Sequence, residues 1–288
     1  MLHDPARHEA LTAAPWRETV ARDTIQAIAG DLCARFDPAA LWPLHPRESE
    51  AGDASVPQPM LYHGAAGVVW SLWQLREQGM AQVELDLATI AASLPAHGRR
   101  WIEAHESEVP SYFLGQSGVL LLAWKLERSQ AVADELFALV ESNLDNKALE
   151  ALWGSPGTLV AALHMLEALE GTPEAQRWQA LFRRGIDLLW ERMVPVQHTE
   201  RPGRDVWIWK QDLYGRVSQY MGAGHGFAGN VFPVIRGARW LDDAVVAAFE
   251  ARTVDALEAC ALREDGLLHW EAQFDPAALG FPRRHLIQ

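Results

Sequence analysis

A chain of 288 residues, 49% of them hydrophobic, can bury a large core as one big domain or as two small ones. Its formal net charge of -13 argues against nucleic-acid and anionic-membrane partners, because either needs a positive field. The two cysteines, Cys33 and Cys260, stand far apart in the chain, which excludes a disulfide framework and a CxxC metal motif and fits buried small hydrophobes in a reducing cytoplasm.

The N-terminal MLHDPARHEA has neither a basic stretch nor an apolar core, and no segment approaches the roughly 18 to 20 apolar residues of a membrane span. A cytoplasmic location is expected. The first helix is predicted from Trp16 to about Phe36. Residues 37–59 hold five prolines, too many for a regular element, and read as a connecting loop.

Four GxxG copies follow, Gly64-Ala-Ala-Gly67, Gly115-Gln-Ser-Gly118, Gly154-Ser-Pro-Gly157 and Gly226-Phe-Ala-Gly229. Each heads an apolar run, VVWSLWQL, VLLLAWKL, TLVAALHML and NVFPVI, so the glycines mark helix starts in a helical repeat protein. Between them lie more charged segments, about 82–105, 130–145, 173–193 and 241–262, with apolar residues at three- and four-residue spacing. The first set reads as a buried inner ring and the second as an outer ring with one solvated face. Ahead of the fourth copy, DVWIWK and LYGRVSQY alternate with polar residues around Gln211 and Asp212 and predict a small β hairpin across one end of the barrel. GLLHWEA, 266–272, predicts a further short strand.

Two roles for the glycines stay open. Helix N-termini carry unpaired N–H groups, and several aimed at one cavity would make a positive, donor-rich floor. Alternatively, glycine only lets crowded helix ends pack. His164 reads as a core histidine, and Trp207, Trp209, Trp240 and Trp270 as a candidate peptide- or sugar-stacking surface.

These residues resemble lanthionine synthetase C-like proteins, whose α/α toroid has seven inner helices opened by GxxG-type motifs. The likeness covers most of the chain from about Tyr62. Its most specific part is Tyr220-Met-Gly-Ala-Gly-His-Gly-Phe-Ala-Gly-Asn230, similar to a G-x-A-H-G-x-x-G segment with Gly224 in place of the alanine; SYFLGQSGVLLLAWKL and LWGSPGTLVAAL add weaker support. The resemblance implies an all-α fold, one α/α toroid over residues 1–288 with a small β hairpin insertion. It implies addition of a thiol, from a peptide cysteine or glutathione, to dehydroalanine or dehydrobutyrine in a peptide or protein substrate, giving a thioether. By the same resemblance His225 is the candidate catalytic acid or base, and imidazole titrates where that exchange is easy. Gly222, Gly226, Gly229, Asn230, His63 and Gly115 are the candidate substrate-binding positions, although His63 reads more readily as a helix-end hydrogen-bonding residue.

Two departures from the family pattern matter. Family members bind zinc through a cysteine in a W-C-x-G-like segment and a Cys-His pair in a C-H-G-like segment; neither is present, and no metal ligand is assigned to this chain. The chain ends at Pro282-Arg-Arg-His-Leu-Ile-Gln288, which looks like the approach to the first of those segments, so an incomplete toroid that self-associates through exposed hairpin flanks is expected. Bacterial cyclases of the family carry an aspartate four residues ahead of the second motif, where Ser111 stands here, and the segment SYFLGQSG looks closer to the stand-alone relatives that bind glutathione. Competing readings are a non-catalytic peptide- or protein-binding scaffold and a glycan-active α/α toroid. The latter needs two carboxylates roughly 5 to 9.5 Å apart, for which Asp212, Glu271 and Asp275 are the candidates.

Overall fold

The structure, a computed structural model, describes residues 15–43, 57–105, 110–197, 205–213, 215–264 and 266–274. Most of the proline-rich loop, Asp275 and the 282–288 segment lie outside the described residues. After α1 (Glu18–Arg35), the chain alternates glycine-headed and charged helices: α2 (Ala65–Glu77), α3 (Leu87–His105), α4 (Gln116–Glu127), α5 (Gln130–Ser142), α6 (Ser155–Ala168), α7 (Glu174–Glu191), α8 (Phe227–Arg236) and α9 (Asp243–Cys260).

Burial separates the two sets as their sequences dictate. In α4 every residue from Gln116 to Trp124 is buried, whereas α7 buries only Trp178, Leu181, Phe182, Gly185, Ile186 and Leu189, one stripe at three- and four-residue spacing. Helices α2, α4, α6 and α8 pack in succession side by side, and α3, α5, α7 and α9 pack outside them. The result is a two-layered arc of an α/α toroid with its core between the layers. On its flanks Trp16, Val20 and Ile28 of the first segment and Phe232, Ile235 and Val254 of the last hairpin are exposed.

Outer-helix boundaries differ from expectation by a few residues. Helix α3 begins at Leu87 because Asp86 accepts the Thr89 N–H at 3.1 Å and its hydroxyl at 2.8 Å. The strands correct the sequence reading more. DVWIWK does not pair with LYGRVSQY: β2 (Asp205–Ile208) pairs antiparallel with β1 (Val194–Gln197), in the register Val194↔Ile208. A separate hairpin joins β3 (Gln211–Leu213) to β4 (Arg216–Ser218), turned at Gly215 with φ 80° and with Asp212 Oδ1 accepting the Gly215 N–H at 2.9 Å. Strand β6 (Leu267–Trp270) falls inside the predicted GLLHWEA segment, and its partner is β5 (Ala261–Glu264). The predicted outer helix overran the start of β5.

Candidate functional site

The inner-helix mouths are built from loops that double back over their own helix. In every motif a Cβ on the second glycine would strike the carbonyl oxygen six residues earlier: Leu61 for Gly67, Tyr112 for Gly118, Ala151 for Gly157 and Ala223 for Gly229, at 2.0 to 2.4 Å. The first-turn N–H groups are largely consumed by the same loops, as in Ala65 to Gln58 O (2.8 Å), Ala66 to Pro59 O (3.1 Å), Phe227 to Tyr220 O (2.9 Å) and Ala228 to Met221 O (3.2 Å). Close backbone approach therefore explains the glycines, and the expected donor-rich floor is mostly spent internally.

Hydrogen bonds stitch adjacent mouths in chain order. Tyr62 N–H donates to Phe113 O (3.0 Å), the Ser111 hydroxyl to Leu152 O, and Ala151 N–H to Gly224 O (3.1 Å). The fourth mouth is fixed further by Met221 N–H to Ala272 O (3.0 Å), Phe274 N–H to Gln219 O (2.8 Å) and Tyr220 N–H to Gln211 Oε1 (2.8 Å). The hairpin and the chain after β6 thus hold the histidine-bearing loop against its neighbours.

At the junction of the third and fourth mouths stands Glu150, fully buried, four residues ahead of Gly154. Its Oε2 accepts the Leu152 N–H at 3.1 Å, and its Oε1 accepts those of Trp153 and, at 3.3 Å, Gly154. Oε2 also lies 2.9 Å from His225 Nδ1. Burial pushes the Glu150 carboxyl above its ordinary range, while the Trp153 and Leu152 N–H groups and His225 pull it back down. The preceding residue, Leu149, sits in the left-handed region at φ 46°, and its carbonyl accepts the buried Asn230 Nδ2 at 2.7 Å. That bond holds a strained backbone in the conformation that aims Glu150.

His225 itself is 46% exposed, with its ring 5.9 Å from that of Tyr220. With Glu150 ionised, Nδ1 carries the hydrogen, which leaves Nε2, without a protein partner among the described residues, able to take up a proton. A buried carboxylate that fixes tautomer and ring orientation, beneath an accessible imidazole, is the arrangement of a general base.

The structure brings His225, Gly222, Gly226, Gly229 and Asn230 together around this pair. Gly222 is exposed, Gly226 and Gly229 close the α8 mouth, and Asn230 is buried against Leu149. Gly115 heads α4 at the second mouth, and His63 is exposed at the first, edge-on to Tyr62 at 4.3 Å. Glu150 went unnoticed in the sequence, although it keeps the same offset from its glycine as Ser111 from Gly115. The four tryptophans do not form one stacking surface: Trp209 and Trp240 are buried, and Trp209 Nε1 donates to Leu189 O at 2.8 Å.

The described residues do not fit the family's zinc. No group of three or more His, Cys, Asp or Glu side chains comes together among them. Cys33 lies on α1 and Cys260 at the end of α9, where burial pushes its thiol up to about 11, away from the thiolate a metal requires.

No known family profile matches the chain, and no curated protein matches it either. Among solved structures it is similar to nisin cyclase, at 14% sequence identity and a TM-score of 0.48, over 84% of this chain and 75% of that one.

Proposed function

We propose that this chain is a lanthionine synthetase C-like protein that adds a thiol to a dehydroalanine or dehydrobutyrine residue of a peptide or protein, forming a thioether. The observation that carries the reading is the His225–Glu150 pair: the histidine of the G-x-A-H-G-x-x-G-like segment lies on a buried carboxylate at the mouth of the inner ring. In the family zinc supplies the thiolate. The residue placed to take a thiol proton is His225, through Nε2. An ordinary thiol with a pKa of about 8.5 loses its proton to Nε2, and the sulfur attacks the β-carbon of the alkene. Electron density moves to the α-carbon and its carbonyl, and the imidazolium returns the same proton to the α-carbon. Glu150 stabilises the transient imidazolium through Nδ1.

The test is incubation of the protein with a dehydroalanine-containing peptide and either glutathione or a cysteine peptide, read by mass spectrometry. The expected result is a thiol adduct that forms faster than without protein and is lost in His225→Asn. No adduct above background with either donor would sink the thiol-addition reading and leave the peptide-binding scaffold.

A further inference from the structure

A second concave site lies along the inner wall, between α2, α4 and α6. It is a cavity of about 410 Å³ bounded by Trp70, Tyr112, Phe113, Lys125 and His164, among others. Its size falls within the range of pockets that accept small molecules. Trp70 and the buried Tyr112 give it an apolar wall. His164, read from sequence as a core residue, borders this space.

Charge at the cavity is uneven. The Lys125 ammonium lies 5.5 Å from the Trp70 ring centroid and 5.7 Å from that of Trp73, and among the described residues it makes no ion pair. Burial lowers its pKa, and the neighbouring Arg128 and Arg236 lower it further against the pull of Glu167. Glu167, the carboxylate acting on Lys125, is already held by Arg236 at 3.1 and 2.8 Å. His164 makes only a longer contact to it, 3.6 Å. Lys125 thus borders the cavity with two guanidinium groups near enough to lower its pKa and one carboxylate, Glu167, pulling against them, in a chain whose formal net charge is -13.

A half-buried cation beside an aromatic wall, with its nearby carboxylate held by Arg236, lacks an anion of its own. We propose that this cavity binds a small amphipathic carboxylate, with its apolar body against Trp70, Tyr112 and Phe113 and its carboxylate on Lys125. Carboxylate is favoured because its two oxygens can accept from the ammonium while a flat apolar group stacks on the rings. The same chemistry is offered by a free acid and by the C-terminus of a peptide. Neither requires the thioether chemistry, so this inference stands or falls separately from it.

Calorimetric titration with N-acetylphenylalanine, its primary amide and the tripeptide Ala-Ala-Phe tests the proposal. The acid is expected to bind on the order of 10-fold more tightly than the amide. Lys125→Met should remove that preference, Lys125→Arg should retain most of it, and Trp70→Ala should weaken acid and amide alike. Tighter binding of Ala-Ala-Phe than of the free acid would identify a peptide C-terminus as the source, and the reverse a small acid. Equal affinity for acid and amide in the unsubstituted protein, or no saturable binding of either, overturns the proposal without reference to any variant. So does an acid preference that survives in a folded Lys125→Met.

Discussion

The second and third mouths of the inner ring share one architecture and differ in one side chain. At the second, Ser111 stands four residues ahead of Gly115; its oxygen accepts the Leu114 N–H at 3.0 Å, and its hydroxyl donates to Leu152 O. At the third, Glu150 stands four residues ahead of Gly154 and takes the N–H groups of its own loop in the same manner. Both are fully buried, and both close a loop that would otherwise leave donors unpaired. Serine spends its one donor and an acceptor site on the backbone. Glutamate has lone pairs left over, and one meets His225, 75 residues along the chain. Capping is thus common to both mouths, while the acid–base link belongs to the third alone.

Replacing His225 by asparagine should break the difference most sharply. The side chain is half-exposed, so helical content and melting temperature should hardly change, while thioether formation falls by about 100- to 10,000-fold. Unchanged turnover in a folded variant would remove His225 from the chemistry. Glu150→Gln comes next. Glutamine can still accept loop N–H groups, but it cannot stabilise an imidazolium as an anion does, and a loss on the order of 100-fold in turnover is expected with about 2 kcal/mol of stability. Chemical denaturation and turnover on one preparation separate the two effects. Equal turnover in wild type and variant would reduce Glu150 to a cap like Ser111.

Ser111→Ala probes the opposite side. It removes one accepted and one donated hydrogen bond at a buried position, which should cost about 1 to 2 kcal/mol in denaturant unfolding. Turnover should stay near that of wild type, since Ser111 touches Leu114 and Leu152 and not His225. A large fall in turnover in a stable Ser111→Ala protein would show that the second mouth also takes part.

Local signals carried much of the fold. The inner helices announce themselves because glycine stands at the N-cap of α2, α4, α6 and α8, and an apolar run follows at once. Outer helices are legible from a stripe such as that of α7, where burial follows the three- and four-residue spacing. Pairing of the strands was not legible. VPVQ follows α7 with no turn signal strong enough to separate it from a helix end, and its Pro195 speaks against a strand until its partner β2 is known. Glu150 was hidden for a similar reason: KALEAL looks like ordinary amphipathic helix, and the contact that distinguishes it is made by a residue far along the chain. His225 was visible because its flanking glycines form a motif, whereas its partner has none.

Titration offers the finest discrimination between the two positions, since Glu150 ionises in the carboxylate range and Ser111 does not. Burial raises the Glu150 pKa, so the folded chain keeps the proton to higher pH than the unfolded chain, whose ordinary value is 4.5. The stability drawn from that proton is complete below 4.5 and is lost as pH rises through the folded pKa. Wild type should therefore lose stability relative to Glu150→Gln as pH is raised from 4 towards neutrality, while Ser111→Ala shows a constant offset from wild type across the same range. Urea unfolding at intervals of pH measures both curves. A wild-type advantage over Glu150→Gln that instead grows with pH would mean that the loop N–H donors and His225 outweigh burial at Glu150.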